Sequence, residues 1–70
     1  MHLSATLIEQ HLWNTEDKIR IRRERFRESQ EKILRNLHEW AEYKNMGQFR
    51  DEIEGLLTFR DALLQILVLL

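Results

Sequence analysis

The feature that most limits the folds open to this chain is a set of apolar residues placed seven apart: Ile19, Phe26, Ile33 and Trp40, with Leu12 and Ala5 extending the spacing backward. A sustained seven-residue repeat marks a helix packed lengthwise on another helix, because every second turn then returns an apolar side chain to the same line. The companion positions three residues on are weaker, namely Arg22, Ser29 and Asn36. A simple two-stranded coiled coil wants apolar residues there. The pattern therefore reads as a bundle helix with a narrow stripe, supported toward its C-terminal half by Leu34 and Leu37.

Composition agrees with helix. There is no proline, the only glycines are Gly47 and Gly55, and the common residues are mostly strong helix formers. Apolar residues make up 43% and charged residues 33%, a balance that can still build a core. At 70 residues the chain is one domain, and a domain of that size buries only about 60% of its unfolded surface. With no cysteine it has neither a disulfide nor a thiolate zinc site to staple it. Helix packing or self-association has to supply the stability.

Three helices are expected, over residues 3–13, 15–45 and 48–69. Ser4 can cap the first. Thr15, or Asn14, can cap the second, with Glu16 and Asp17 in its first turn where the helix dipole favours anions. Asn45-Met46-Gly47 reads as the break, since Gly47 and Asn45 both tolerate the left-handed conformation that ends helices, and a short connection there folds the last helix back antiparallel. Trp40, Tyr43 and Phe49 would then pack around that turn. Folding at residue 47 leaves residues 15–23 beyond the end of the hairpin, in need of cover.

The last helix carries two apolar stripes. One reads Phe49, Ile53, Leu56, Leu63 and Leu67, interrupted by Arg60; the other reads Phe59, Ala62, Ile66 and Leu69, with Gly55 in line. One neighbouring helix cannot cover both, and a helix apolar nearly all round must be buried on several sides. Phe59, Ala62, Ile66 and Leu69 are accordingly the candidate self-association residues, pairing two hairpins into a dimeric bundle.

The net charge of −1 hides an asymmetry: residues 15–35 carry eight Lys/Arg against five Asp/Glu, and residues 36–70 three against six. Residues 18–27 hold six cations. On a helix Arg20, Arg23 and Arg27 share one flank and can pair with acids a turn away, Glu16 with Arg20 and Arg27 with Glu31. Lys18, Arg22 and Arg25 share the other flank with few acids in reach, so they are the candidate contacts for an acidic protein surface or for nucleic-acid phosphates. A chain that is not basic overall favours the protein partner, or a merely solvated face.

Chemistry of other kinds finds no foothold. His38 and Glu42 lie one turn apart, but a catalytic zinc needs a third ligand and none is near. No serine or threonine stands in a nucleophile motif and no glycine-rich phosphate loop exists. No catalytic residue, metal or cofactor is expected. The apolar run Ala62–Leu70 falls far short of the roughly 20 residues that span a bilayer, and the N-terminus lacks the pattern of a signal peptide. The expectation is an all-α antiparallel helical hairpin with a short N-terminal helix, soluble and intracellular, acting as a non-enzymatic interaction module: an adaptor, inhibitor or assembly factor, self-associating as a homodimer. The alternatives are a small nucleic-acid-binding regulator that uses the basic helix 18–27, and a fragment of a longer protein.

Overall fold

The computed structural model describes residues 4–70, so His2 and Leu3 lie outside the described residues. Two helices fill nearly all of that span, α1 over Ala5–Arg35 and α2 over Trp40–Leu69. Helices of 31 and 30 residues, at 1.5 Å rise per residue, are each about 45 Å long. They lie side by side in a rod of 52 × 17 × 14 Å. Ion pairs across the seam join Arg60 to Glu16, Arg22 to Glu52 and Lys32 to Glu42, partners ever closer in sequence toward the turn, as an antiparallel hairpin requires.

The expected short N-terminal helix is not separate. The Ser4 side chain caps α1 by accepting the Leu7 N–H at 3.1 Å, but the helix then continues through Asn14-Thr15 without a break. Thr15 is no N-cap: its hydroxyl donates to the His11 carbonyl one turn back, at 2.7 Å, and its side chain is buried in the seam. Such back-bonding satisfies a hydroxyl inside a helix, which removes the reason for a stop.

The turn also sits elsewhere. The chain reverses at Asn36–Glu39, not at residues 45–47, which lie inside α2. Asn36 leaves the helix in an extended conformation while its N–H still bonds the Lys32 carbonyl at 3.0 Å. Its side-chain oxygen accepts the His38 N–H at 3.0 Å, and its side-chain nitrogen donates to Glu39 Oε1 at 3.3 Å. Asparagine is suited to this role because its amide mimics a backbone turn. Lys32 and Arg35 stand in the last turn of α1, where cations complement the helix dipole. Neither glycine has a positive φ, so Gly47 serves no left-handed cap. Trp40 and Tyr43, with ring centroids 5.7 Å apart, open α2 at the actual turn, whereas Phe49 sits half-buried in the seam.

The physical reason for the shift is arm length. A turn at 36–39 gives two arms of nearly equal length, so residues 15–23 lie alongside α2 and no overhang remains. On α1 the inward row is Ile8, Leu12, Thr15, Ile19, Arg22, Phe26, Ser29 and Ile33, at alternating steps of four and three; on α2 it is Met46, Phe49, Ile53, Leu56, Arg60, Leu63 and Leu67. The core is thin. Ile8, Ile19, Ile33 and Leu63 are the buried apolar side chains, and Ile19, 1% exposed, is the one closed off completely.

Candidate interaction face

An α-helix turns about 100° per residue, so Gly55, Phe59, Ala62, Ile66 and Leu69 project within about 40° of one direction on α2, well away from the seam row. The hairpin leaves that stripe open. Phe59 is 49% and Leu69 86% exposed, Ala62 is exposed, and Ile66 is half-buried. The stripe expected to exceed what one neighbouring helix can cover does so in the folded chain. On the other side of α2 Leu64 and Val68 are exposed too, as is Leu70, and Leu64, Gln65, Val68 and Leu69 line a shallow apolar depression at the open end of the hairpin.

The three candidate cations part company. Lys18 and Arg25 are exposed and make no ion pair among the described residues. Arg22 instead belongs to the inward row, and its guanidinium is engaged by Glu52 of α2. A long aliphatic stem lets arginine line a seam while its head reaches the rim, so Arg22 stands at one of the companion positions of the seven-fold pattern and is paired with an acid of α2, unlike Lys18 and Arg25. The flanking pairs are also rearranged. Arg27 bonds Glu31 at 2.9 Å as expected, but Arg20 reaches Glu24 at 3.6 Å, and Glu16 is taken by Arg60 at 3.4 Å.

Arg25 lines a groove with Glu42, Asn45 and Phe49. Lys18 lies seven residues before Arg25 on α1, and Glu52, Phe59 and Ile66 follow Asn45 at seven-residue steps on α2. The same side of the rod therefore carries both the free cations and the apolar stripe, with the stripe nearer the open end. The sequence did not single out Glu52, and it marked Leu64 and Val68 only as part of the apolar run Ala62–Leu70. The one signal for Glu52 was an acid opposite a seam arginine, visible only once the register is known.

No group of three or more acidic or histidine side chains that could hold a metal occurs among the described residues. His38 belongs to the turn, its N–H held by Asn36, and Glu42 stands 3.6 Å from Lys32 Nζ. Among the described residues no helix is long and apolar enough to cross a membrane. The fold and this face define a two-helix rod with an uncovered apolar stripe. No family model, curated protein or solved structure matches the chain, so its role must be read from its own residues.

Proposed function

We propose that this chain is a non-enzymatic helical interaction module, a small adaptor, inhibitor or assembly factor that self-associates as a homodimer. The observation that carries the reading is the open stripe of Phe59, Ala62, Ile66 and Leu69. Contiguous exposed apolar surface of this kind marks a contact site, because leaving it in water is unfavourable by roughly 25 cal/mol per Å². Total exposure points the same way. The chain presents 5644 Å², whereas a compact monomer of 8.6 kDa presents about 4700 Å².

Static light scattering after size exclusion tests the reading. The expected mass is twice 8.6 kDa. Phe59→Asp with Leu69→Asp returns it to the single-chain value, since each places a charge on the stripe without entering the seam. A wild-type chain that stays a monomer at tens of micromolar, the affinity range of weak specific contacts, removes self-association. Lys18 and Arg25 remain available for an acidic protein surface. The nucleic-acid alternative has less support once Arg22 is committed to Glu52, and retardation of duplex or single strands at low salt that is abolished by Lys18→Ala and Arg25→Ala would restore it. A cysteine-free composition accords with an intracellular setting.

A further inference from the structure

The homodimer reading leaves open how two rods meet, and the size pattern along the stripe addresses that. Resting on that reading, we infer that two copies pair antiparallel through residues 55–69 of α2, with Ala62 on the two-fold axis and Leu69 of each copy seated over Gly55 of the other.

Three observations converge on this arrangement. The first is where apolar side chains occur. Toward the turn the same line of α2 holds Gln48 and Asp51, with Glu52 at its edge, so the stripe is apolar only over residues 55–69. Full side-by-side overlap of two rods would lay that apolar half against the polar half of its mate. A two-fold axis at the middle of the apolar span lays apolar on apolar, and the residue at that middle is Ala62. Isologous pairing requires such a self-complementary patch.

The second is the order of sizes. Gly55, Ala62 and Leu69 are seven apart, and Phe59 and Ile66 stand on either side of Ala62. Antiparallel pairing about residue 62 sets the smallest side chain against a large one at each end, Phe59 against Ile66 between them, and alanine against alanine where the helices come closest. Parallel pairing would set Gly55 against Gly55 and Leu69 against Leu69, so that no single helix separation would fill both ends. It would also align Asp51, Glu52 and Glu54 with their own copies, whereas antiparallel pairing carries those acids to opposite ends.

The third is Gly55 itself. Its φ is not positive, and a Cβ added there would meet nothing within 4 Å. Neither the backbone nor the packing of the single chain calls for glycine, although glycine is a poor helix residue. The same holds for Gly47, and what sets Gly55 apart is its place in the apolar stripe, where the missing side chain leaves room for Leu69 of the other copy.

A chain without cysteine makes the test direct. Ala62→Cys should form a disulfide-linked dimer under mild oxidation, since only residues beside the axis bring two Cα atoms within about 4.4–6.8 Å. Glu54→Cys is the control, its two copies being about 24 Å apart along the helices at 1.5 Å per residue. Cross-linking of Ala62→Cys should be on the order of a hundredfold faster, the ratio of a roughly millimolar effective concentration within a dimer to a bulk one of about ten micromolar. Gly55→Cys and Leu69→Cys should link to each other when mixed but not to themselves. All four positions are exposed, so none of these variants disturbs the seam. Self-linking by Gly55→Cys or Leu69→Cys as fast as the mixture means parallel pairing and overturns the inference. A dimer by light scattering in which Ala62→Cys links no faster than Glu54→Cys overturns this geometry alone. A monomer overturns both this geometry and the homodimer reading beneath it.

Discussion

Gly47→Ala separates the observed hairpin from the one that residues 45–47 suggest. Gly47 lies inside α2, its φ is not positive, and a Cβ built on it meets nothing within 4 Å. In that setting alanine gains what glycine forgoes in a helix interior, about 0.8–1.0 kcal/mol, much of it by restricting the unfolded chain. No steric cost offsets the gain, because the added methyl group enters open space. For a domain of 60–100 residues, 1 kcal/mol raises Tm by roughly 4–8 °C, so the single substitution should move the melting midpoint upward by several degrees. Circular dichroism at 222 nm measures it, with both chains at the same concentration because self-association would itself add stability. Were the chain to turn at Gly47 in a left-handed conformation, alanine would be strained there and Tm would fall. A midpoint at or below that of the wild type refutes the continuous second helix and the seam register that depends on it.

The seam makes three further demands. Ile19→Ala removes the most completely buried side chain and should lower the unfolding free energy by on the order of 2–5 kcal/mol in urea titrations, enough to leave so small a domain largely unfolded; a loss below about 1 kcal/mol would mean that Ile19 is not at the centre of the core. Asn36→Ala deletes the side-chain bonds to the His38 N–H and to Glu39, and should cost about 1 kcal/mol by the same denaturation, in line with the loss of other capping side chains. Arg60→Leu replaces a seam guanidinium whose Nε is buried without a partner, at the loss of 3.4 Å pairs with Glu16 and with Asp61. Exchanging a half-buried charge with an unmet donor for an aliphatic group should be neutral or stabilising in urea titrations, and a loss above about 1 kcal/mol of unfolding free energy would mean that the two ion pairs matter more than the unmet donor.

Much of the hairpin was legible because it depends on periodicity. The seven-fold spacing from Leu12 to Ile33 is the α1 side of the seam, Ser4 is an N-cap as expected although of one long helix, and the two stripes of α2 are the covered and uncovered faces. What was illegible depends on competition between local signals and long-range pairing. Gly47 is a stronger local stop than Asn36, yet a break at 47 would forfeit the pairing of residues 15–23 with α2, and the glycine is carried inside the helix at modest cost. Thr15 resembles an N-cap in sequence, but its position is buried, and the His11 carbonyl one turn back, inside an unbroken helix, accepts its hydroxyl as a second hydrogen bond. Arg22 looked outward because charge normally faces water; the acid that holds it, Glu52, is thirty residues away in sequence. The candidate stripe needed no such partner information, since its exposure follows from there being more apolar surface on α2 than one helix covers.

The polar residues in the seam explain why that surplus exists. Thr15, Arg22 and Ser29 occupy alternate inward positions on α1, and Arg60 interrupts the inward row of α2. Aliphatic side chains there would bury more surface, but an all-aliphatic seam pairs almost as well one heptad out of step. Here a slip of seven residues would move Glu52 away from Arg22, bring Asn45 or Phe59 beside that guanidinium, and part Arg60 from Glu16. Polar groups at such positions commonly fix orientation and register at the expense of stability. A hairpin with so thin an interior holds its alignment well and its fold only modestly. Covering Phe59, Ile66 and Leu69 would therefore stabilise the rod as well as join it to another chain, and any variant that blocks this cover without touching the seam should lower the mass and the melting temperature together.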